Sequence, residues 1–168
     1  MIQVSFYVLP EVTPQGRLRL ACKLIEKAYT ADHPTYVYAP VESVAQAVDD
    51  LLWTFPRNKF LPHCLVADFS SPTSPIVIGD EHGFVAVAQN FFGNQVRAYL
   101  PETKDLGSVP GPILLNLASE VPHFFASFTK ILELIEPNPE ELQAGRNRFS
   151  YYRKQGILPE THKLSVVP

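Results

Sequence analysis

The feature that most constrains this chain is the rhythm of its first fifty residues. Residues 2–9 (IQVSFYVL) are mostly β-branched and aromatic, the pattern of a buried strand. Thr13 and Pro14 then read as a helix cap and first helical position. Leu18, Ala21, Cys22, Ile25, Ala28 and Tyr29 recur at helical spacing, which predicts a helix over residues 14–29. His33-Pro34 breaks it. Residues 35–39 (TYVYA) read as a second strand, and Pro40 opens a second helix that keeps Val44, Val48, Leu51 and Leu52 on one face up to about Trp53. Strand, helix, strand, helix at this spacing signals parallel βαβ units. The expected fold class is α/β: a three-layer, Rossmann-like, mostly parallel sheet flanked by helices.

The rest of the chain continues the pattern less regularly. Residues 65–67, 76–78 and 113–116 (ILLN) are short strand candidates, and residues 124–128 read as helical. Residues 131–135 (ILELI) suit either a last strand or the end of that helix. Asn138-Pro139-Glu140-Glu141 is a helix start, with a cap, a proline at the first position and acids near the positive end of the dipole. This helix is expected to run to about Gln155, with Gly156 placed to end it. Residues 81–110 fit least. Two apolar runs, 84–88 and 96–100, flank Phe91-Phe92-Gly93-Asn94, which reads as an added β-hairpin. No repeat, low-complexity tract or linker divides the chain, so one domain over residues 1–168 is expected, with 158–168 as a tail.

Composition narrows the function classes. Hydrophobic residues make up 46%, with 11 Phe and 7 Tyr, enough for a sizeable core. Charged residues are only 18%, which suggests that some apolar surface is reserved for partners. The formal net charge of −3 argues against a dedicated duplex-DNA binder. Residues 142–168 are nevertheless locally basic, with Arg146, Arg148, Arg153, Lys154 and Lys163 against the single acid Glu160. Cys22 and Cys64 fall in predicted buried segments and read as reduced core thiols. The chain opens without a signal peptide and carries no apolar run of bilayer length, so a cytoplasmic protein with no membrane contact is expected.

The chemistry of a nucleotide enzyme is missing. The loop after the first strand, Pro10 to Pro14, has no glycine through which a phosphate could approach the backbone, and Glu11 would repel one. His33, His63, His82, His123 and His162 show no metal-ligand spacing with each other or with the cysteines. Asp80, Glu81 and His82 form a polar trio of the kind usual on loop surfaces. No nucleophile elbow is present. Neither a catalytic residue nor a metal or other cofactor is expected.

Two constellations point instead to partners. The first runs from Leu51 to His63 and places Trp53, Phe55, Phe60 and Leu61 in a short, proline-punctuated connection. Exposed rings beside prolines favour protein binding, unless all of them pack under their own loop. The second is the last helix. At about 100° per residue, Arg146, Ser150 and Arg153 share a sector of about 60°, bordered by Phe149 and with Leu142 on the same side. Two guanidinium forks beside a ring suit a carboxylate attached to an apolar side chain. The plainer alternative is a solvated basic face with Phe149 and Tyr152 in the core.

These residues also carry a resemblance. Phe6-Tyr7-Val8-Leu9, Ala21-Cys22-Lys23-Leu24, Tyr36-Val37-Tyr38 and Asp50-Leu51-Leu52-Trp53 through Phe60-Leu61-Pro62-His63 come first. Pro75-Ile76-Val77-Ile78, Leu114-Leu115-Asn116-Leu117, Val121-Pro122 and Arg146-x-Arg148-Phe149 through Tyr152-Arg153-x-x-Gly156 follow in order. The set, over roughly residues 2–80 and 111–157, resembles the chi subunit family of bacterial DNA polymerase III. The resemblance implies a nucleotide-binding-like fold without a nucleotide site and a non-catalytic adaptor in DNA replication. It implies two partners: the psi subunit of the clamp-loader complex, and the acidic C-terminal tail of single-stranded-DNA-binding protein, which ends in an aromatic residue with a free carboxylate. DNA would be reached only indirectly. By position, Trp53, Phe60, Leu61, Pro62 and His63 resemble the psi-binding surface, and Arg146, Phe149, Ser150 and Arg153 the tail pocket.

Two departures stand out. Residues 81–110 are longer than the family segment. Glu140, Glu141 and Leu142 stand where some relatives supply a lysine, and Ser150 replaces another basic position, so a weaker grip on the tail, or one made through other contacts, is expected. Two other function classes compete: a nucleotide-dependent enzyme on the same fold, and direct single-stranded nucleic-acid binding through Arg146, Arg148, Arg153 and Lys154 with Tyr151 and Tyr152 interleaved.

Overall fold

The computed structural model describes residues 1–54, 60–66, 74–92, 111–166 and 168. Among the described residues, seven strands and four helices follow in the order β1 (Gln3–Val8), α1 (Gly16–Thr30), β2 (Thr35–Tyr38), α2 (Glu42–Thr54), β3 (His63–Leu65), β4 (Ile76–Gly79), α3 (Glu81–Phe92), β5 (Ile113–Asn116), β6 (Lys130–Ile135), α4 (Pro139–Lys154) and β7 (Glu160–Lys163). A 3-10 turn, Phe125–Ser127, precedes β6. The strands form one sheet in the order β3-β4-β2-β5-β6-β1-β7, and every pairing is parallel.

A parallel sheet must be covered on both faces, and its inner strands are therefore apolar on both sides. β4 and β5 are buried at every residue. One face carries Val37, Ile78, Leu115 and Leu134 under α1 and α2. The other carries Phe6, Tyr36, Leu114 and Ile131 under α3, the 3-10 turn and α4. The three-layer α/β expectation holds, and the sheet is wholly parallel.

The helices show which local signals were obeyed. α4 begins as expected: the Asn138 side chain accepts a hydrogen bond from the Glu141 N–H at 2.9 Å, with Pro139 next in the chain. It ends in a Schellman motif. The Ile157 N–H reaches the Tyr152 carbonyl, the Gly156 N–H reaches that of Arg153, and Gly156 takes φ 82°. α1 starts two residues later than expected. The Gly16 N–H is tied to the Thr13 carbonyl, and Gln15, in the left-handed region at φ 59°, takes the cap position without a side-chain bond.

Four expectations are corrected. Residues 84–88 belong to a helix, not to the first arm of a hairpin. Asp80 caps that helix by accepting from the Gly83 N–H at 2.7 Å, and Phe84 and Val87 face the core one turn apart. The second arm, 96–100, and its Gly93-Asn94 turn lie outside the described residues. Residues 131–135 are a strand, and not the last one. The tail at 158–168 contains β7, which pairs with β1 at the sheet edge. Cys64 is only partly covered, whereas Cys22 is fully buried.

The crevice where an open α/β sheet usually takes a ligand lies between the carboxyl ends of β2 and β4, whose following helices leave toward opposite faces. It encloses about 770 Å³, lined in part by Pro40, Glu42, Asp80 and His82. Asp80 already occupies the N-terminal amide of α3, and Glu42 opens α2. Both positions that could cradle a phosphate carry the protein's own carboxylates. Among the described residues no His, Cys, Asp and Glu cluster is suited to a metal ion, and no helix is long and apolar enough to cross a membrane.

Candidate functional site

The two candidate surfaces sit near opposite edges of the sheet. The first adjoins β3. α2 keeps Val48 and Leu52 in the core, which turns Trp53 at its end outward. Trp53 and Phe60 are 59% and 67% exposed, and their ring centroids are 5.7 Å apart. Trp53 also covers the His63 ring at 4.8 Å. The His63 side chain is shut off from water. Its Nδ1 lies 2.6 Å from the Leu61 carbonyl oxygen, an acceptor, which assigns the proton to that nitrogen. Nε2 stands 3.3 Å from Asp49 Oδ1, within contact distance but not aligned as a hydrogen bond.

The five residues expected to bind one partner therefore divide. Trp53 and Phe60 form a paired aromatic surface. Leu61 is 1% exposed and belongs to the core beneath α1 and α2, and His63 is the floor under Trp53. Pro62 is half-buried between them. Leu61 and His63 hold the patch in place and do not present side chains to a partner. Phe55 lies outside the described residues.

The second surface is the outer flank of α4. Arg146, Ser150 and Arg153 are exposed, and Phe149 is half-buried against Phe6, with ring centroids 5.5 Å apart. Gly145 lets the helix lie close on β6, because a Cβ there would stand 2.4 Å from Ile135 Cδ1. The four expected residues are thus brought together, though unequally. Gly145, Arg148 and Tyr152 mark the inward direction, so Ser150 falls near the outward crest, while Arg146 and Arg153 stand over Phe149. Among the described residues neither arginine has an acidic partner within ion-pair distance.

What holds this flank in register was not expected from the sequence. Arg148 is 2% exposed, and its Nε donates to Glu133 Oε2 on β6 at 2.8 Å. Its Nη1 donates to the Ser119 carbonyl at 3.1 Å. The Tyr152 hydroxyl and the Asn116 amide donate to Glu133 Oε1 at 2.7 and 3.0 Å. Asn116 and Glu133 face each other directly across the β5–β6 ladder. Burial pushes the Glu133 carboxyl above the usual carboxylate range, and Arg148 with the hydrogen bonds from Asn116, Tyr152 and Arg148 works against that. Burial likewise pushes the Tyr152 hydroxyl up. Arg148 and Tyr152 therefore drop out of any nucleic-acid face. Its basic residues shrink to Arg146, Arg153 and Lys154, with Tyr151 as the exposed ring.

The family model described as DNA polymerase III chi subunit, HolC, matches residues 1–160. The chain is similar to a protein named DNA polymerase III subunit chi from Pseudomonas aeruginosa, with 30% identity over 167 residues and 98% of each chain covered. Proteins of the same name from Haemophilus influenzae and Escherichia coli K12 are 25% and 21% identical. The first comparison covers 90% of each chain, the second 94% of this chain and 95% of the relative.

Proposed function

Because the chain belongs to the DNA polymerase III chi subunit family, and so has a role in DNA replication, we propose that it is a non-catalytic adaptor with two partner surfaces. The Trp53–Phe60 patch takes the psi subunit of the clamp loader. The Arg146, Phe149 and Arg153 flank of α4 takes the acidic C-terminal tail of single-stranded-DNA-binding protein, with Ser150 at its rim. DNA is reached only through that tail.

The observation that carries this reading is the pair of arginines that, among the described residues, have no acidic partner and stand over a half-buried ring. Guanidinium forks grip a carboxylate through charge-assisted hydrogen bonds, while the ring receives an apolar side chain. Each such bond contributes on the order of 1.5–3 kcal/mol, which suits a grip that must form and release. The aromatic patch has the opposite character. Large rings that lose water on docking give a lasting joint. The α4 surface lies over β6 and β1, four to five strand spacings of about 4.8 Å from β3, roughly 19–24 Å, so both partners fit at once.

Fluorescence anisotropy of a labelled tail peptide tests the reading. Binding at micromolar levels that Arg153→Ala removes, with the variant still folded, supports it. No binding by folded wild type refutes it. A single-stranded oligonucleotide binding more tightly than the peptide, with a steep salt dependence, would instead favour direct nucleic-acid binding.

A further inference from the structure

β7 adds a second wall to the α4 surface. Phe6 is paired with Thr161 and Val8 with Lys163. Side chains alternate between sheet faces, and partners in a parallel ladder point the same way. Tyr7 and His162 stack at 5.0 Å, and Tyr7 belongs to the core under α1. His162 and Glu160, 3.7 Å apart, therefore turn toward the α1 face. Thr161 and Lys163 fall on the α4 face, beside Phe6 and Val8, which pack in the same core as Phe149 and Ile157.

Between α4 and β7 the surface is thus an apolar floor with a basic wall on each side. Val8, Phe149 and Ile157 are half-buried along it. Arg146 and Arg153 stand on the helix side and Lys163 on the strand side. Among the described residues Lys163 has no acidic partner within ion-pair distance, and the acid of β7, Glu160, faces away. The helix itself carries no charge at Leu142 or Ser150. We propose that this groove takes an acidic peptide along its length, and that Lys163 pairs with the acidic residues ahead of the terminal aromatic while Arg146 and Arg153 hold its carboxylate. This rests on the tail-binding reading above and names the contact that makes up for the missing charge on α4.

The test is anisotropy with two labelled peptides, one with an aspartate run ahead of a C-terminal phenylalanine and one with those aspartates changed to asparagine. Each is titrated with wild type, Lys163→Ala, Lys163→Arg and Arg153→Ala. Lys163→Ala is expected to weaken the aspartate peptide about three- to fivefold, as a solvent-screened ion pair does, and to leave the asparagine peptide unchanged. Lys163→Arg restores the wild-type value. If Arg153→Ala abolishes binding but Lys163→Ala changes nothing, or weakens both peptides equally, the role of Lys163 is overturned and the tail reading stands. If wild type binds neither peptide, the tail reading fails and this inference falls with it.

Discussion

The aromatic patch beside β3 and the basic flank of α4 are built on opposite terms. The patch exposes its rings and buries the group that supports them: Trp53 and Phe60 face water, while His63 and Leu61 lie beneath. Its support is packing, and the chain near it is short and local. The α4 flank exposes its charges and hides another charge below: Arg146 and Arg153 face outward, while one turn of the same helix sinks Arg148 into the core to meet Glu133. Its orientation depends on a buried ion pair between residues on different elements. The lesson is that a surface made of rings can be held by contacts of the same kind. A surface made of cations cannot be anchored by burying its own unpaired charges, and here a buried ion pair on the inner side of the same helix serves as the anchor.

The test with the largest expected effect removes that device. Arg148→Met leaves Glu133 buried without its cation and should lower stability by about 3–5 kcal/mol in urea unfolding. The double variant Arg148→Met with Glu133→Leu should recover most of the loss. If Arg148→Met costs under about 1 kcal/mol, the contrast between the two regions collapses. Glu133→Gln probes the same pair by pH. A carboxyl held above its ordinary range contributes fully below its unfolded pKa and loses that contribution as pH rises through the folded value. The stability gap between wild type and Glu133→Gln should therefore narrow as pH rises.

On the other surface, Trp53→Ala should weaken binding of the proposed psi partner by about 2–4 kcal/mol, as truncated aromatic anchors do, and leave affinity for the proposed tail peptide unchanged. Isothermal titration with each partner separates the two outcomes, and a loss at both would show that the surfaces are not independent. Arg153→Ala should cost tail binding about 1.5–3 kcal/mol with little effect on unfolding. Gly156→Ala carries the smallest effect, about 1 kcal/mol. Open space surrounds that position, so the cost is the left-handed backbone alone. The change should fray the end of α4 near Arg153 and be visible as faster amide exchange there, with none near Trp53.

The first two strands and helices and the ends of α4 were legible from local pattern, because apolar spacing, the Asn138 cap and the Gly156 stop act within a few residues. The aromatic and basic surfaces could be located in the same way. Their internal division could not. Leu61 and Trp53 are both large and apolar in the sequence, and only the packing of β3 against α2 sends one inward and leaves the other out. Arg148 reads as polar in any periodic pattern, and the acid that draws it inside lies 15 residues away on another element. The helix at 81–92 was misread because its run of Phe, Val and Ala suits a strand as well as a helix. Its signal was available in Asp80 as a cap followed by Glu81. β7, of sequence ETHK, has no alternation to betray a strand at all. It becomes one because the open edge of β1 presents unpaired backbone groups that a neighbouring segment can satisfy. Local chemistry thus settled which segments are regular and where charge and aromatic rings collect. Long-range pairing settled which of those side chains reach the surface, since burial is decided by partners that no local window contains.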